Sequence, residues 1–133
     1  MGAGSSARRI VIGRSLVAGL SVSPRPQPAH RRASARHTIV EVRRNLARLL
    51  SGRELMAARA VFAADLTSLS VIELDGATCE SAAMIAETTG VRTLDALHLA
   101  AAQRVASPGM GFLTFDPRQA QAARALGLTV VTA

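Results

Sequence analysis

Three carboxylates carry the chemistry that this chain can offer. Glu41 lies in "TIVEVRRNLARLL", Asp95 in "RTLDALHLAAA", and Asp116 closes "GFLTFD". They lie 54 and 21 residues apart, so only a tertiary fold can bring them together. Clustered carboxylates repel one another, and a divalent cation relieves that repulsion; hard oxygen ligands with open positions suit Mg²⁺ or Mn²⁺. Such an ion orients a water and stabilises charge on a phosphate during an in-line displacement. Without the ion, crowding is expected to raise the pKa of at least one of the three acids. Each residue also has a plainer role open to it. Asp116 precedes Pro117 and can cap a helix there. Asp95 follows Thr93 in a first helical turn, where the helix dipole favours negative charge. Glu41 can sit in solvent beside Arg44 or Arg48, and His98 can be a half-buried core histidine.

The elements that must position these acids are legible from Thr38 onward. "TIVEVRRNLARLLSG" places Ile39, Val42, Leu46 and Leu49 on one helical face, with Glu41 and Asn45 on another and Gly52 as a stop. "RELMAARAVFAADL" reads as a second helix, "SVIEL" as a short strand, and "GATCESAAMIAETTG" as a helix closed by Gly90. "TLDALHLAAAQRVA" reads as a helix ending near Pro108 and Gly109. "GFLTF" is a buried strand, "DPRQAQAARALG" a helix and "LTVVTA" a closing strand. Strands alternating with helices predict an α/β domain with a mostly parallel sheet. In such sheets ligands gather at the C-terminal ends of the strands, which puts Asp116 at the rim.

Residues 1–37 differ in style. "SVSPRPQPAHRRASARH" gives no period for helix or strand, and only "RIVIG" reads as a strand. The net charge of +7 belongs to this end of the chain: residues 1–40 hold seven arginines and no acid, whereas residues 41–133 hold nine arginines and nine acids. Arg8 and Arg9 precede a partly apolar stretch, but Arg14 interrupts it, so a basic arm is expected rather than an export signal. The expected division is therefore an atypical basic Pro/Ser/Arg-rich arm, 1–37, disordered or poorly packed, followed by a domain, 38–133. The single cysteine, Cys79, excludes an internal disulfide framework and suits the cytoplasm. No apolar run reaches the roughly 20 residues of a membrane span.

"TIVEVRRNLARLL", "RTLDALHLAAA" and "FLTFDPRQAQAARALGLTVV" together resemble the PIN-domain ribonucleases, specifically the VapC-type toxins of bacterial toxin–antitoxin pairs, over about residues 38–132. The resemblance implies an α/β/α sandwich and metal-dependent cleavage of RNA. It implies Glu41, Asp95 and Asp116 as catalytic and metal-binding residues, with Thr114 close by, and Mg²⁺ or Mn²⁺ as the cofactor. The implied partners are an RNA substrate, a cognate antitoxin protein and a second copy of the chain.

One departure stands out. The family opens with a short strand ending in an aspartate, followed two residues later by Ser or Thr. In "RIVIGRSLVAGL" that place falls to Gly13 or Arg14, with Ser15 near the hydroxyl, and no acid precedes Glu41. An arginine there opposes a cation, so weak or absent cleavage is expected. The abrupt change near His37 reads as a segment foreign to the family, from a frame slip or a mis-assigned start. Two alternatives follow: a catalytically dead remnant that only binds an antitoxin or dimerises, and a nucleic-acid-binding module that uses the basic arm. The absence of Tyr and Trp removes the usual stacking platforms for the latter.

Overall fold

Helix boundaries in the computed structural model follow local chemistry. The structure describes residues 9–12 and 31–131. The elements run β1 (Arg9–Ile12), β2 (Arg31–Ala35), α1 (Thr38–Leu49), α2 (Gly52–Thr67), β3 (Leu69–Ile72), α3 (Gly76–Thr89), α4 (Thr93–Arg104), β4 (Gly111–Leu113), α5 (Pro117–Ala125) and β5 (Val130–Val131). Asp75 caps α3 by accepting from the Thr78 amide at 2.9 Å, and Asp116 caps α5 by accepting from the Arg118 amide at 2.9 Å, with Pro117 in the first turn. Gly90 ends α3 at φ 71°, a left-handed conformation that glycine adopts without strain.

The five strands form one sheet in the order β3-β2-β1-β4-β5, and every pairing is parallel. Parallel sheets are covered on both faces, and the strand residues here are correspondingly apolar and buried: Ala33, Ala35, Ile72 and Phe112. They join one core with Ala82 and Ile85 of α3, Leu99 to Ala102 of α4, and Ala122 and Ala123 of α5. The alanines let the helices approach closely, which replaces the aromatic bulk that the composition lacks. A smaller core seals α1 against α2 through Val42, Leu46 and Phe62. The result is the α/β/α sandwich with a parallel central sheet that the sequence predicted, and no described helix is long and apolar enough to cross a membrane.

The segment before Thr38 corrects one expectation. "RIVI" is a strand, as read, but "RRASA" is a strand too, and β1 and β2 are two of the three middle strands of the sheet. No β-branched residue marks β2, because its buried positions, Ala33, Ser34 and Ala35, are small enough to lie under packed helices. Gly13, Arg14 and Ser15, where the first aspartate and hydroxyl were sought, lie outside the described residues.

Candidate functional site

The topology gathers the starts of three helices at one edge of the sheet. From β1 the chain moves outward through β2 and β3, then crosses to β4 on the other side of β1. The crevice between β1 and β4 at their C-terminal ends is thus the switch point, where open α/β sheets bind ligands. Asp116 lies three residues past the end of β4, at the start of α5. Glu41 sits in the first turn of α1, directly after β2. α4 must run back to the edge where β4 begins, so its first turn, with Asp95, returns to the C-terminal edge. All three predicted acids therefore stand at the same edge.

Two of them share a cleft. Asp95 and Asp116 line a hollow of about 760 Å³ together with Thr89, Arg92, Arg118 and Gln121. Asp95 is only 4% exposed, an unusual burial for an acid. Asp116 is held by its surroundings: its amide donates to Thr114 Oγ1 at 3.2 Å, and buried Thr114 donates to Gln119 Oε1 at 2.7 Å. The cap uses Oδ1 of Asp116, and Oδ2 takes no part in it. Two hard carboxylates brought from different elements onto one cleft fit Mg²⁺ or Mn²⁺, and Arg92 and Arg118 on the same walls fit a phosphate. Another hollow, of about 490 Å³, opens near β2 and β3 between Arg32, Glu73, Asp75 and Arg104. It suits a metal less, because Glu73 is paired with Arg36 and Asp75 with Arg104.

Glu41 is not among the residues lining the cleft of Asp95 and Asp116. Its Oε1 lies 3.0 Å from His98 Nε2 and 3.1 Å from His37 Nε2. His98 donates a hydrogen bond to it, whereas His37 is close but misaligned for one. The two imidazoles pack with ring centroids 4.1 Å apart. Burial opposes the charge on Glu41, but the imidazoles outweigh burial and draw its pKa from 4.5 down to about 2. Glu41 is thus not an acid whose pKa carboxylate crowding raises, because it faces histidines. Burial pushes the His98 pKa below its ordinary value, against the pull of Glu41 and Asp95. Asp95 is one turn from His98 on α4, so the Glu41 group and the cleft adjoin.

Glu41 therefore pairs with neither Arg44 nor Arg48. His37 went unread in the sequence, although its i, i+4 spacing to Glu41 across a helix start was a usable signal. His98 is 1% exposed, more buried than the half-buried histidine expected.

The PIN domain family model matches residues 17–125, beginning well before Thr38. Among curated proteins, none matches the sequence. Solved structures are similar along nearly the whole length. PAE2754 from Pyrobaculum aerophilum superposes with a TM-score of 0.64 at 20% identity, covering 96% of this chain and 93% of that one. VapBC2 from Rickettsia felis, bound to a DNA fragment from its promoter, gives 0.66 at 11% identity, covering 94% and 98%. FitAcB from Neisseria gonorrhoeae gives 0.61 at 17% identity, covering 91% and 95%. At these identities the likeness speaks for the fold.

Proposed function

The chain belongs to the PIN domain family, and from that premise we propose that it is a metal-dependent endoribonuclease of the VapC toxin type. One observation carries the reading: Asp95 and Asp116 line a single cleft at the switch-point edge, with Arg92 and Arg118 beside them. Asp95 and Asp116 would hold Mg²⁺ or Mn²⁺, and Glu41 is the third candidate ligand from the adjoining group. The bound ion would orient the attacking water and offset charge on the phosphate. Arg92 and Arg118 would bind phosphate oxygens and fix the RNA backbone. The Thr114 and Gln119 hydrogen bonds keep the Asp116 loop in place, so that the carboxylate does not have to be ordered when the substrate arrives.

A cognate antitoxin and a second copy of the chain are the proposed protein partners, in the cytoplasm. The likeness to VapBC2 supports the first. Val40, Leu49, Met56 and Val61, on α1 and α2, are each at least half exposed and supply an apolar surface for either.

Incubating the full chain with single-stranded RNA and Mn²⁺ tests the reading. Cleavage is expected, weak because Gly13 or Arg14 stands where the family resemblance expects an acid, and Asp116→Asn should abolish it. A folded chain that neither cuts RNA nor responds to Mn²⁺ would reject the nuclease reading. It would favour the dead remnant that only binds its antitoxin or dimerises, a reading supported by the lack of any acid before Glu41.

A further inference from the structure

We propose that His37, Glu41 and His98 form a second metal site, two imidazoles and one carboxylate, that takes a borderline transition ion such as Zn²⁺ or Co²⁺. It is centred on Glu41, which the nuclease reading also offers as a third ligand, but it includes neither Asp95 nor Asp116 and does not depend on that reading.

Geometry carries the inference. The three side chains come from two elements: His37 precedes α1, Glu41 lies one turn on, and His98 projects from α4. One ligand atom from each lies within 4.8 Å of the others. Tetrahedral coordination at metal–ligand bonds of about 2.0–2.1 Å places ligand atoms about 3.3 Å apart. The two nitrogen–oxygen separations, 3.0 and 3.1 Å, are close to that. Imidazole nitrogens with a carboxylate suit Zn²⁺, Co²⁺ and their neighbours, whereas carboxylates alone suit Mg²⁺.

The arrangement is also poorly satisfied as it stands. Neither ring nitrogen of His37 has a hydrogen-bond partner among the described residues, nor does Nδ1 of His98, although all three atoms are buried. Native structures pair most such groups. A metal would employ His37 Nε2, which lies close to Glu41 without donating to it. The side chains of His37 and Glu41 are 11% and 13% exposed, so the group lies just beneath the surface, with His98 as its floor.

Adding Co²⁺ to the apo full-length chain and following visible d–d absorption tests the site. The parent should bind one ion with a nitrogen-donor spectrum, Asp116→Asn should keep it, and His37→Gln should weaken it by on the order of tenfold or more. An absent band, a band indifferent to His37→Gln, or one lost equally in Asp116→Asn would each overturn the proposal. Should His37→Gln fail to fold, the histidine nitrogen resonances of the parent decide. Zn²⁺ should shift those of His37 and His98, and unchanged resonances would reject the site. RNA cleavage plays no part in these readouts, so a failure here leaves the nuclease reading to its own test.

Discussion

Glu41 and Asp95 show how much a residue's role depends on what faces it. For Glu41, the contribution to stability is full above about pH 4.5 and is lost as the pH falls toward 2, because its folded pKa is depressed. The loss amounts to on the order of 3 kcal/mol. Urea melts of parent and Glu41→Gln in chelator should therefore differ most near neutrality and converge in that acid window; a constant gap would contradict the two-histidine environment. For Asp95, Asn keeps the shape and removes the charge. Asp95→Asn should leave the apo protein at least as stable as the parent but erase stabilisation by Mn²⁺, which reaches about 2.7 kcal/mol at a hundredfold excess over Kd. A clear fall in apo melting temperature would place Asp95 in a structural role. The position of Asp95 was legible, since an acid inside an apolar helix is conspicuous. The partners of Glu41 were not: His98 is 57 residues away, and spacing within α1 suggested only Arg44 and Arg48.

At the scale of elements, Asp116 does two jobs that substitution can separate. Asn caps a helix as well as Asp, so Asp116→Asn should change apo stability by no more than a few tenths of a kcal/mol while removing the metal response; Asp116→Ala should cost about 1 kcal/mol as well. Thermal melts of the two variants side by side would show it, and equal losses would mean that the cap contributes nothing. Helices and strands after Thr38 were readable because period, caps and glycine stops agreed: Asp75 and Gly90 bracket α3 as their types suggest. β2 was hidden because strand propensity is largely a packing preference. "RRASA" looks like a basic linker until its neighbours in the sheet show why small residues are needed there.

Across the whole molecule, the apolar surface on α1 and α2 predicts self-association. Light scattering on the purified chain should give a dimer, and Met56→Asp should shift it toward monomer; a monomer at high concentration would reject that surface as a dimer interface. The class of fold was legible from alternating strands and helices, but the strand order was not, because pairing partners far apart in the chain leave no local mark. That order has a consequence for the timing of synthesis. One of the two neighbours of β1, β4, is made about 100 residues after it. At roughly 5–20 residues per second, the ribosome needs about 5–20 s to supply it. Until then the middle of the sheet is open on one side, and the cleft has only the Asp95 half of its carboxylate pair. A nascent chain that has not yet reached β4 therefore cannot assemble the site, and whatever chemistry the protein performs waits until Asp116 has been added and has left the ribosome.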